Sequence, residues 1–123
     1  MEDLSITVSN DPTLIPYYLR FVSVDQDVHK ELGEPILFKP DQTWIFAHEN
    51  KEMVGFICYN RTNILYMYVT PEMRRKGVLL NMYLKVPDRK WKTVCSKMSL
   101  SFFLNRGFQI KKSFVNCYKL QNF

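Results

Sequence analysis

Three runs of β-branched and aromatic residues follow one another through the middle of the chain: TWIFAH (Thr43–His48), MVGFICY (Met53–Tyr59) and ILYMYV (Ile64–Val69). Short polar connections, ENKE and then NRTN, separate them. A link of this length is too short for a crossover, so consecutive runs must fold back on each other as an antiparallel meander. Everything else in the chain has to pack around that sheet.

On the N-terminal side, Ser5–Val8 reads as a short strand. Asp11-Pro12 offers an N-cap and a first-turn proline, and Ile15, Tyr18, Leu19 and Val22 follow at helical spacing. Ser23 with Gln26 forms a capping-box pattern for a second helix, with Val28 and Leu32 as its buried face and Gly33 as its stop. Glu34–Gln42 contains Pro35 and Pro40 and reads as a loop. On the C-terminal side a helix runs from Val78 to Leu84, closed by Val86-Pro87, and Trp91–Ser96 is a strand. Met98–Phe108 reads as a short helix ending at Gly107, and closing strands start at Gln109 and Asn116. The order β-α-α-β-β-β-α-β-α-β-β describes one α+β domain, residues 1–123, around a mixed, mostly antiparallel sheet.

The chain is 46% hydrophobic and 24% charged, which places it among folded globular proteins rather than disordered ones. No apolar run approaches the ~18 residues of a membrane span, and the start MEDLSITV is acidic, unlike a signal peptide. A membrane partner is therefore not expected. Three cysteines, Cys58, Cys95 and Cys117, without CxxC spacing are expected to be reduced, in the cytoplasm. His29 and His48 fall at no ligand spacing with them, so no metal site is expected. The charge is unevenly divided: residues 1–70 carry a net −5 and residues 71–123 a net +10. The second half is built to face a polyanion, or else presents a solvated basic face.

The division falls inside YVTPEMRRKGVLLNMYL (Tyr68–Leu84), where a strand breaks at Pro71 and a helix begins after Gly77. Arg74, Arg75 and Lys76 stand just ahead of that helix. A helix N-terminus is already partly positive, so cations there point to an expected anion. The passage V-x-P-x-x-R-x-x-G (Val69–Gly77), the later F-F-x-x-x-G-F (Phe102–Phe108) and the order of elements resemble the GNAT superfamily of acyl-CoA-dependent N-acyltransferases. The resemblance covers essentially the whole chain in element order and is most specific from Ile64 to Phe108.

That resemblance implies a GNAT-like sheet flanked by helices, with acetyl-CoA or another acyl-CoA as co-substrate and no metal. In the family, a loop of pattern Q/R-x-x-G-x-G/A holds the pyrophosphate of coenzyme A; here Arg74, Arg75, Lys76, Gly77, Val78 and Leu79 occupy it. The backbone near Met67 and Val69 would hold the pantetheine and polarise the thioester. Ser96 replaces a frequent asparagine, and its hydroxyl can bond a pantetheine amide. Tyr66 and Tyr68 share one face of their strand. They are either the catalytic groups, holding a water that receives the amine's proton, or aromatic packing with the hydroxyl at the rim.

Three departures from the family pattern stand out. Leu79 replaces the loop's final Gly or Ala, and Phe103 stands where a tyrosine can protonate the leaving thiolate. Ile64–Val69 carries no Asp, Glu or His to act as base. His48 reads as structural or surface before it reads as a base, and His29 as solvent-facing. Cys95 reads as a small hydrophobe, and Trp44 and Trp91 as core or rim packing.

The leading expectation is acetyl transfer to a primary amine by direct attack, with a protein lysine, a polyamine or another small amine as acceptor. The acidic first half would favour a cationic acceptor. The alternative is a catalytically degenerate GNAT-like fold that binds a protein or regulates. The sparse glycine and the Lys, Asn, Phe and Tyr content would suit an AT-rich bacterial or phage genome. A nucleic-acid-backbone binder ranks third, because the cations are dispersed and no nucleic-acid signature is present. A homodimer is compatible with the chain.

Overall fold

The computed structural model describes residues 3–20, 26–32 and 36–123. Seven strands form one sheet: β1 (Leu4–Ser9), β2 (Thr43–Glu49), β3 (Glu52–Tyr59), β4 (Asn63–Val69), β5 (Lys92–Ser96), β6 (Gln109–Ser113) and β7 (Cys117–Gln121). Four helices accompany it: α1 (Leu14–Leu19), α2 (Gln26–Leu32), α3 (Val78–Tyr83) and α4 (Lys97–Leu104). The element order is the one expected from the sequence. Across the sheet the strands run β1-β2-β3-β4-β5-β7-β6, so the last hairpin folds back and places β7 beside β5.

The meander is antiparallel throughout, with Ile45 opposite Ile57 and Ile57 opposite Met67. Alternation divides its side chains between two cores. Trp44, Phe46, Phe56, Cys58 and Tyr66 point to one face and pack with Ile15, Leu19, Val28 and Ile36, under α1 and α2. Ile45, Ala47, Ile57 and Val69 point to the other and pack with Val78, Met82, Phe103 and Leu120, under α3 and α4. Two irregularities interrupt the alternation. Val54 is skipped between the pairs Ala47–Gly55 and His48–Met53, and Leu65 between Tyr59–Ile64 and Cys58–Tyr66. At Gly55 a Cβ would lie 2.9 Å from both the Tyr68 carbonyl oxygen and Met82 Cε, so only glycine lets α3 sit this close to the sheet.

Local departures from the sequence reading have local causes. Asp11 is not the cap of α1, which falls at Thr13. Its carboxylate instead accepts from the Thr13 amide at 2.8 Å and hydroxyl at 2.7 Å, folding the turn that leads in. Pro71–Met73 forms a 3-10 turn that periodicity does not announce. The helix expected over Met98–Phe108 ends at Leu104. There Phe108 N–H bonds the Phe103 carbonyl at 3.2 Å, Gly107 N–H bonds Leu104 at 3.3 Å, and Gly107 sits at φ +87°. This is a Schellman stop, closed by the Phe103–Phe108 ring contact at 5.0 Å. The Ser23 capping box, Val22 and the Gly33 stop lie outside the described residues, as do the side chains of Tyr18 and His29.

Candidate functional site

Strands β4 and β5 are parallel but pair at only two positions, Asn63 with Lys92 and Ile64 with Thr93. The Thr93 hydroxyl donates to the Ile64 carbonyl at 2.9 Å and ties the strands where their pairing ends. Beyond it they part, and a cavity of about 950 Å³ opens between their ends, α3 and α4. The Thr70 amide bonds Val54 on β3 at 2.9 Å. By alternation, the backbone groups of Met67 and Val69 therefore face the gap. The peptide edge of β4 thus contributes to this part of the wall, with the Val69 carbonyl engaged by Arg74.

The rim beyond β4 is the loop carrying the three cations. Arg75 and Gly77 are both left-handed, at φ +63° and +82°. Holding a non-glycine residue there costs about 1–2 kcal/mol, a cost that marks a backbone shaped for a purpose. Turns of this kind, ahead of a helix, direct successive amides to one point and form an anion nest. Asn81 N–H reaches back to the Gly77 carbonyl at 3.0 Å, so the amides ahead of it belong to the open first turn. A Cβ built on Gly77 would meet nothing within 4 Å, so the space beside this turn is open. Arg75 and Lys76 are exposed and Val78 is buried. The half-buried Leu79 packs against the core and also lines the cavity, so its bulk is partly withdrawn into packing.

Arg74 lies differently. Its Nε donates to the Val69 carbonyl at 2.9 Å and its Nη2 meets Glu31 at 2.6 and 2.7 Å, while Nη1 lies 3.5 Å from Met98 Sδ. The guanidinium stands 5.6 Å over the Tyr68 ring. Glu31, which composition and spacing did not single out, is the only acidic residue among the described residues lining the cavity. Its sole advance signal was membership in the acidic first half.

The two tyrosines share a face but not a setting. Tyr66 is buried, stacked on Trp44 at 5.8 Å, and its hydroxyl oxygen accepts the Leu37 amide proton at 3.0 Å, pinning the 36–42 loop. Tyr68 is half-buried, stacked on Phe56 at 5.6 Å beneath Arg74. Across the gap, Ser96 stands at the N-cap position of α4 without a side-chain capping bond and Cys95 is buried; both line the cavity. Phe103 is 1% exposed and serves the Schellman stop as well as the cavity wall. His48 is not among the lining residues, and burial lowers its pKa. Among the described residues no group of His, Cys, Asp and Glu is placed to hold a metal ion, and no helix is long and apolar enough to cross a membrane.

Burial, with the neighbouring Cys117, pushes the Cys95 thiol up to about 11, so it stays protonated at neutral pH. Cys58 is buried and pushed up further. Iodoacetamide at neutral pH is expected to label the half-buried Cys117 well before Cys58 or Cys95, read by peptide mass spectrometry.

No protein-family model matches this chain, and neither does any curated protein sequence at a significant level. Solved structures do match. An acyl-CoA N-acyltransferase from Pseudomonas aeruginosa superposes with a TM-score of 0.70 at 11% identity, covering 98% of this chain and 99% of that one. A GNAT-family structure from Desulfovibrio desulfuricans gives 0.64 at 14% identity, covering 96% of each chain. The PaiA N-acetyltransferase from Thermoplasma acidophilum, solved in complex with coenzyme A, gives 0.62 at 12% identity, covering 95% of this chain and 98% of that one. With the strand order, the parted β4–β5 pair and the left-handed loop before α3, these likenesses establish that the chain has the GNAT acyltransferase fold.

Proposed function

We propose that the protein is an acyl-CoA-dependent N-acyltransferase acting on a primary amine. The observation that carries this reading is the parting of β4 and β5 over a cavity that ends at the Arg75–Gly77 loop. The residues present fit the cofactor: an open anion nest at one end, and gap-facing peptide groups of Met67 and Val69 along the wall. Arg75 and Lys76, with the amides from Gly77 to Leu79, would hold the diphosphate. The Ser96 hydroxyl would bond the extended amide arm. When bound, acetyl-CoA supplies an activated thioester whose carbon forms the new C–N bond as the C–S bond breaks and the thiolate leaves.

The chain's own contribution is mostly positioning and a polar backbone wall. The Tyr66 oxygen holds the Leu37 amide, while Tyr68 is the half-buried member of the pair, stacked on Phe56 beneath Arg74, and a water oriented beside it would receive the amine's proton. A protonated Cys95 is a poor nucleophile, which favours direct attack over an acyl-enzyme. The placement of Phe103 favours a second reading, cofactor binding without efficient transfer, since no proton donor stands at that position.

Calorimetry with coenzyme A and acetyl-CoA, followed by a thiol-release assay against a panel of amines, tests both. Micromolar binding with turnover is expected. Binding without thiol release would select the second reading, and no binding at millimolar cofactor would sink the first.

A further inference from the structure

Glu31 and Arg74 are 43 residues apart and meet across the mouth of the cavity, with side chains 24% and 32% exposed. Arg74 simultaneously occupies the Val69 carbonyl, one of the gap-facing groups assigned above to the cofactor. The guanidinium thus straps α2 to the end of β4 and touches Met98 of α4. The lining also includes Arg75 and Arg106, so the wall holds three arginines and Glu31 as its one acid among the described residues. Among the described residues a cationic guest has one carboxylate to meet in this wall, and Arg74 occupies it.

We propose that Glu31 anchors the acceptor, and that Arg74 guards it until the anionic cofactor draws the guanidinium away. The inference rests on the acyl-CoA reading and extends it to the acceptor class. Arg74 begins the phosphate loop, so a bound diphosphate competes with Glu31 for the same cation. Once released, the carboxylate receives an ammonium. An ammonium held by a carboxylate stays protonated and does not attack, so the anchored charge is not the reacting one. The acceptor is therefore an amine with a second positive charge, a diamine or polyamine, held at one end while its other, neutral amine reacts. Binding is coupled: cofactor first strengthens amine binding, and by reciprocity amine strengthens cofactor binding.

The test compares wild type with Glu31→Gln, a near-isosteric change at a partly exposed position, with circular dichroism to confirm folding. Coenzyme A is expected to bind about three- to five-fold tighter to the variant in calorimetry, because its competitor for Arg74 has lost its charge. Wild type is expected to prefer cadaverine over pentylamine by about ten-fold in kcat/KM, and Glu31→Gln to lose that preference. Glu31→Asp, which keeps the charge, is expected to retain most of it. Coenzyme A binding that is equal or weaker in Glu31→Gln overturns the exchange. A cadaverine preference that survives the substitution overturns the anchor, with the acyl-CoA reading intact in both cases. If neither protein binds coenzyme A, the parent reading fails and this inference fails with it.

Discussion

Replacing Gly77 with glutamate is expected to weaken coenzyme A binding by at least about 100-fold while leaving the protein folded. Gly77 sits at φ +82°, where a residue with a Cβ costs about 1–2 kcal/mol, but that Cβ would meet no atom within 4 Å. The fold therefore tolerates the side chain. The ligand does not, because a carboxylate would enter the nest assigned to a diphosphate, and like charges there cost several kcal/mol. Gly77→Ala separates the two effects: it carries the same backbone penalty without charge, and its affinity should stay within about ten-fold of wild type. Calorimetry and thermal denaturation on the same preparations check the pair. A Gly77→Glu protein that still binds coenzyme A at micromolar concentration would show that the loop before α3 does not hold the diphosphate.

Trp44→Ala is expected to be the most damaging substitution to stability, at about 3–5 kcal/mol. Trp44 is fully buried, with Phe38, Phe46, Phe56 and Tyr66 ringed around it at centroid distances of 5.7–6.0 Å. Removing the indole opens a void between the sheet and the layer of α1 and α2, and those neighbours cannot collapse into it without leaving their strands. Against a total stability of about 5–15 kcal/mol this is a large share, and a melting point lower by about 10–20 °C should follow. The functional consequence is indirect. Tyr66 loses its stacking partner, and with it the hold on Leu37 that shapes the 36–42 loop. Trp44→Phe, which keeps most of the ring, should lose less than half as much. A shift below about 3 °C for the alanine variant would show that this cluster contributes little.

Features of this chain are legible in its sequence in proportion to how local their causes are. Thr43–His48, Met53–Tyr59 and Ile64–Val69 were readable as strands because runs of β-branched and aromatic residues and short polar connections are properties of a few consecutive residues. A helix beginning just after Gly77 was legible for the same reason, whereas the left-handed turns at Arg75 and Gly77 came only from the structure. Gly107 was legible as the stop of α4, but not that the helix proper closes at Leu104, which depends on Phe108 reaching back to Phe103. That contact also changes the meaning of Phe103, whose aromatic ring closes a helix end and fills a core whether or not a hydroxyl is present. Asp11 offers a cap two residues ahead of the one that forms, since its short side chain serves a turn as readily as a helix start.

The site divides along the same line. From the chain alone came the order of elements and the antiparallel meander, carried by spacing and by backbone preferences that act over a few residues, together with the resemblance of Arg74–Leu79 to a phosphate loop. Only the tertiary structure decided that β5 parts from β4 after Thr93, that the Met67 and Val69 peptides face the gap, and that Glu31 meets Arg74 across it. Those facts depend on which strand lies beside which and on how a helix from the first quarter of the chain settles against a loop from the middle. Such contacts are set by closing long loops around a shared core, and no window of neighbouring residues contains them.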